Sequence, residues 1–151
     1  MVSGPHGDGP TLATTDPILL EFAEEVGTQG SVSIAGGRTR WETGGALADA
    51  DVRVLQAPSG VVEYVPEEMI VTVRCGTPTA ELNAELGAKG QRTGLPERGG
   101  TVGGALAVGQ NHLEVLGRGT VRSAVLQVRY VSAEGRIVTG GGPTVKNVTG
   151  F

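Results

Sequence analysis

The chain has 151 residues and 15.4 kDa, enough for one domain with a buried core and too little for a second of comparable size. Its net charge of −4 and its scattered 12 basic residues exclude the clustered Lys and Arg that nucleic acid or an anionic membrane surface requires. One cysteine, Cys75, rules out an internal disulfide and fits a reducing compartment, and two histidines far from it give no metal-binding spacing.

Residues 1–15 are rich in Gly, Pro and Thr without periodicity and read as a disordered leader. No basic start with an apolar run follows, and no window approaches 18 apolar residues, so the reading is a cytoplasmic protein with no transmembrane segment. The first helix is predicted over "PILLEFAEEV". Asp16 caps it, Pro17 opens it, Ile18, Leu19, Phe22 and Val26 recur at helical spacing, and Gly27 stops it. Glu21, Glu24 and Glu25 on this helix read as a solvated face.

After the helix, "SVSIA" alternates as a strand and delivers the chain into "GGRTRW". Two more strands, "GVVEYV" and "MIVTVRC", flank the turn "PEE", with Met69, Val71, Val73 and Cys75 on one face and Cys75 in the core. In "TPTAELNAELGAKG" Thr77 is expected to cap a second helix, with Pro78 in its first turn, Leu82 and Leu86 on one face and Gly87 as its stop. The piece "GLPERGGTVGGALAVGQN" is irregular, with a helix able to start after Thr101. The chain closes on a hairpin, "AVLQVRYVSA" turning at Glu134 and Gly135 into "RIVTG", with Leu126, Val128 and Tyr130 buried. Interleaved helices and strands give an α+β class.

Two loops carry candidate chemistry. In "AGGRTR", paired glycines after a strand let backbone N–H groups approach a phosphate or pyrophosphate, with Thr39 adding a hydroxyl and Arg38 or Arg40 a charge. The plain alternative is a surface turn that needs left-handed residues. In "TVGGALAVG" a helix start would aim its donors and positive end at an anion, and the alternative is a tight turn with close packing. Two such loops could close on one diphosphate ligand. Neither fits the G-x-G-x-x-G fingerprint. His112 is a lone loop histidine and reads as solvated rather than as a general base. No residue is assigned a catalytic role, and no metal site is expected.

Taken in order, the first helix, "SVSIAGGRTRW", "VVEYVPEEMIVTVRCGTPTAELNAELGAKGQ", "TVGGALAVG" and "GRGTVRSAVLQVRYVSAEGRIVTGGGPTVKNVTGF" resemble the FAD-binding domain of the vanillyl-alcohol oxidase and p-cresol methylhydroxylase (PCMH) superfamily, in particular the glycolate oxidase FAD-binding subunits. The resemblance implies two small α/β subdomains of a PCMH-type domain over residues 16–151, C-terminally incomplete, with the cap domain absent. It implies that Ala35, Gly36, Gly37, Arg38 and Thr39 wrap the FAD pyrophosphate and that Thr101, Val102, Gly103 and Gly104 form a second FAD-contacting loop. It places the backbone of Ile137 at the adenine end, and Lys146 and Asn147 in a structural or cofactor-proximal role. Arg38 stands where some relatives place the histidine that bonds to the flavin, so the cofactor is expected to be non-covalent FAD. Ser123 stands where relatives commonly have an aspartate.

The function so implied is the FAD-binding portion of a flavin-dependent oxidoreductase resembling glycolate oxidase. It would act on a 2-hydroxy acid in the complete enzyme, beside other flavin and iron–sulfur subunits, and would not be catalytically complete alone. The alternatives are a non-catalytic remnant or assembly subunit that keeps the fold without flavin chemistry, and a sugar or alditol oxidase or cell-wall precursor reductase of the same superfamily.

Overall fold

The structure is a computed structural model and describes residues 16–45, 51–96, 99–109 and 111–142. The expected leader, and Lys146 with Asn147, lie outside the described residues. The architecture is α+β, as expected. Among the described residues five α-helices interleave with six strands, and the strands pair into three two-stranded sheets.

Helix α1 spans Pro17–Val26, and the Asp16 carboxylate accepts the Ile18 N–H at its start. Gly27 ends it at φ 64, a left-handed value that glycine adopts without strain. Strand β1 (Val32–Ala35) pairs in parallel with β2 (Arg53–Gln56), a strand too short to signal itself in the sequence. From β2, Arg53 reaches back and donates to the carbonyls of Glu25 and Val26 at 3.0 and 2.7 Å. A cation there satisfies the exposed carbonyls at the helix's negative end. At the other end, Arg74 donates to both oxygens of Asp16, at 2.8 and 3.1 Å. No residue of α1 is buried, so these two arginines hold it at its ends.

Strands β3 (Val61–Val65) and β4 (Ile70–Val73) form an antiparallel hairpin around a 3-10 turn at Pro66–Glu68. Helix α2 (Thr79–Gly87) lays Leu82 and Leu86 into the core, with Leu95, α3 (Val102–Val108) and Val121 of α5 (Val121–Ala124). Val61, Tyr64, Val71 and Val73 of the hairpin pack against this cluster. Full burial of a leucine is worth roughly 1.5–3 kcal/mol, so α2 and this sheet form the stable centre. Helix α4 (Val115–Arg118) precedes α5, and β5 (Gln127–Val131) with β6 (Ile137–Gly141) forms the last antiparallel hairpin, turning at Gly135 with φ 69.

Several local expectations are corrected. Met69 does not join a strand face, because it leaves the 3-10 turn at φ 55 and is 78% exposed. Cys75 is not a core residue: β4 has already ended at Val73, and Cys75 sits exposed in the following turn. Enough protein crowds its thiol that desolvation pushes the pKa up. Thr77 does not cap α2, since its buried hydroxyl accepts the Gly60 N–H at 2.8 Å and Pro78 takes the cap position. Gly87 remains helical, and the left-handed residue that ends the turn is Gly90 at φ 69. Tyr130 is exposed at the outer face of β5 rather than buried. The solvated reading of Glu21, Glu24 and Glu25 holds.

Candidate functional site

The first glycine loop leaves β1 at Ala35, which is 1% exposed and whose carbonyl accepts the Ala57 N–H at 2.8 Å. This fixes the point from which the loop departs. The Gly36 carbonyl then accepts from the Gln56 side-chain amide at 3.3 Å. None of the N–H groups of Gly36, Gly37, Arg38 and Thr39 donates to another described residue. Arg38 sits at φ 54, an uncommon conformation for a residue with a side chain and one that turns the chain sharply. Its guanidinium lies over the Trp41 ring, 5.3 Å from the centroid. The backbone thus presents successive unengaged donors around a left-handed residue on an exposed loop, and consecutive N–H groups of this kind can bind an anion.

The second loop is built differently. The Thr101 hydroxyl caps α3 by accepting the Gly104 N–H at 3.2 Å. The Val102 N–H donates to the Thr77 carbonyl at 2.9 Å, and the Gly103 N–H to the Cys75 carbonyl at 2.7 Å. Thr79 N–H in turn donates to the Gly100 carbonyl at 3.1 Å. These bonds stitch the loop to the turn before α2. The expected outward-aimed helix start is therefore corrected: the first-turn donors of α3 are engaged by protein. Gly103 is needed for this packing, because a Cβ there would stand 2.8 Å from Cys75 Cβ.

The two loops touch. A Cβ on Gly36 would fall 2.3 Å from Thr101 Oγ1, and one on Gly37 3.3 Å from Gly100 Cα. Gly100, at φ 91, faces the Thr39 hydroxyl across the same seam. The two loops that the sequence expected to close on one diphosphate lie against each other at Gly36, Gly37, Thr39, Gly100 and Thr101, with Gly103 and Gly104 behind them. A diphosphate needs donors and close backbone approach, and Gly36 to Thr39 provide both beside this seam. The residues present fit the group.

Ile137 lies elsewhere. It begins β6 and lines a depression with Leu20, Glu24, Arg129 and Arg136, a lining that includes no residue of either glycine loop. A larger cavity of about 1080 Å³ lies among α1, the β3–β4 sheet, α2 and β5. Of the residues expected to contact FAD, Val102 alone lines it. His112 accepts the Glu114 N–H at Nδ1, 3.0 Å away, a local turn contact with no catalytic partner among the described residues. Ser123 donates its hydroxyl to the Thr120 carbonyl at 2.7 Å and belongs to the cap of α5.

Gln56 and Trp41 are the residues that sequence reasoning missed. Gln56 escaped because "RVLQ" is a four-residue strand with no apolar run, and Trp41 because nothing in the spacing reveals a ring stacked beneath Arg38.

Comparison with known proteins bears on the family of the chain. The glycolate oxidase subunit GlcE of Escherichia coli (strain K12) is 35% identical over 96 residues, 61% of this chain and 27% of that protein. The D-lactate dehydrogenase of Archaeoglobus fulgidus is 43% identical over 51 residues, 34% of this chain and 12% of that protein. The chain thus spans about a quarter or less of the curated relatives it matches. No solved structure matches it at a significant level. The sequence profile of the FAD binding domain matches residues 19–141, from α1 to the end of β6. The chain belongs to the FAD binding domain family, and its cofactor is FAD.

Proposed function

We propose that residues 16–151 form the FAD-holding domain of a flavin-dependent oxidoreductase acting on a 2-hydroxy acid, with the cofactor bound non-covalently along the seam between the two glycine loops. The observation that carries this reading is the run of unengaged N–H groups from Gly36 to Thr39, closed from one side by Thr101 and Gly100. On this reading Ala35, Gly36, Gly37, Arg38 and Thr39 bind the diphosphate through backbone. Thr101, Val102, Gly103 and Gly104 support that loop, and Ile137 meets the adenine end.

The substrate class rests on the relatives. One is a subunit of a glycolate oxidase and the other a D-lactate dehydrogenase, and glycolate and D-lactate are both 2-hydroxy acids. FAD supplies two-electron acceptance when bound, and the chain's own residues supply binding and orientation. The chemistry of Arg38 supports a non-covalent link, since its guanidinium stays protonated and is no nucleophile. Because GlcE is a subunit, this chain is expected to work beside further subunits. A cytoplasmic setting accords with its single cysteine. No helix among the described residues is long and apolar enough to cross a membrane.

The test is a visible absorption spectrum of the purified chain, before and after heat denaturation and with FAD added back. Flavin that co-purifies and leaves the protein on denaturation supports the reading, as does anaerobic bleaching by glycolate or D-lactate once partner subunits are present. A folded, colourless chain that ignores added FAD would overturn it in favour of a non-catalytic domain.

A further inference from the structure

The two arginines of the first glycine loop have different surroundings. Arg38 stacks on Trp41, so its charge is directed onto an aromatic face. Arg40, two residues on, is only partly exposed; its carbonyl accepts the Thr43 N–H, while its guanidinium makes no hydrogen bond or ion pair among the described residues. Its Nη1 lies 3.7 Å from where a Cβ on Gly100 would stand, which puts the guanidinium at the seam where the loops meet. A partly buried cation without a partner is unfavourable until an anion reaches it. A guanidinium presents a planar fork of donors that matches two phosphate oxygens at once.

We infer that Arg40, not Arg38, is the side chain that binds the diphosphate of the cofactor, completing the set of backbone donors from Gly36 to Thr39. This rests on the FAD reading above. The role of Arg38 is then conformational: its stacking on Trp41 holds the left-handed turn that points the neighbouring N–H groups one way.

The test titrates FAD, and ADP as a diphosphate probe, into cofactor-free wild type, Arg40→Gln, Arg40→Lys and Arg38→Gln, at low and high salt. Arg40→Gln should weaken both ligands by about 10- to 100-fold, the range of a charge-assisted hydrogen bond. It should also flatten the salt dependence, which a merely structural role would not do. Arg40→Lys, which keeps the charge and loses the fork, should recover part of the affinity. Arg38→Gln should cost no more than about fivefold, the range of an exposed cation–π contact. A folded Arg40→Gln variant that binds FAD like wild type, or a larger loss in Arg38→Gln, would overturn the inference alone. A wild type that takes up no FAD would overturn the functional reading and this inference together.

Discussion

At Gly36 and Gly37 the backbone N–H groups meet no acceptor among the described residues, while at Gly103 and Gly104 the same groups are bonded to the Cys75 carbonyl and the Thr101 hydroxyl. In each pair one glycine, Gly36 or Gly103, leaves no room for a Cβ. The difference lies in what the backbone is left free to do. The first pair is an open face and the second is its buttress. A glycine pair in a sequence therefore reports crowding, and only the fate of its N–H groups says whether a ligand is served.

The largest effect expected from this contrast is at Gly36→Val. Its new side chain would collide with Thr101 Oγ1, part the loops and lower FAD affinity by at least about 100-fold, since several donors to a charged ligand are misplaced together. Urea unfolding should register a further loss of about 1–3 kcal/mol from overpacking. Gly103→Ala meets Cys75 at 2.8 Å and should cost about 1–3 kcal/mol in the same melt, yet a folded variant should still bind FAD within a few-fold of wild type. Equal losses of affinity in the two variants would erase the distinction between face and buttress.

The buttress has its own support, because the turn that holds the second loop follows Arg74, and Arg74 pairs with Asp16. The hydrogen bonds from Arg74, joined by the Ile18 N–H, hold the Asp16 carboxyl below the usual carboxylate range although burial opposes this. A lowered folded pKa gives stability that is full above the unfolded value of about 3.9 and is lost as pH falls through the folded value. Acid should therefore loosen the protein below about pH 4, and Asp16→Asn should remove that part of the slope in a pH series of denaturant melts. Arg74→Ala should cost about 1–2 kcal/mol at neutral pH. FAD affinity measured above pH 5 should be unaffected by the Asp16 titration. Smallest is Thr101→Val, which deletes the cap on α3 at about 1 kcal/mol, while Thr101→Ser should keep most of it.

The parts that were legible in sequence are those whose signals are local. Asp16, Pro17 and Gly27 bracket α1 by capping chemistry alone, and Glu134 with Gly135 mark a hairpin through turn chemistry. Thr101 was recognisable as a helix start for the same reason. What was not legible depends on tertiary contact. Thr77 has the right identity and place to cap α2, but Gly60 takes its hydroxyl from 17 residues away. Tyr130 alternates correctly for a buried face, yet nothing described covers that side of β5. In the site, the two loops could be named from their glycines, while the roles of Gln56, Trp41 and Arg40 required knowing which loop lies against which.

Helix α1 is fastened by directional polar contacts at its two ends and has no fully buried residue, with a cavity beneath it. Stability in such a molecule is not evenly distributed. The helix should open as a separate cooperative unit, exchanging its amide protons well before those of α2, whose Leu82 and Leu86 are locked in the core. Acid below about pH 4 would then detach one end of the fold while the glycine seam stays closed, so loss of helical signal and release of cofactor would come as two events rather than one.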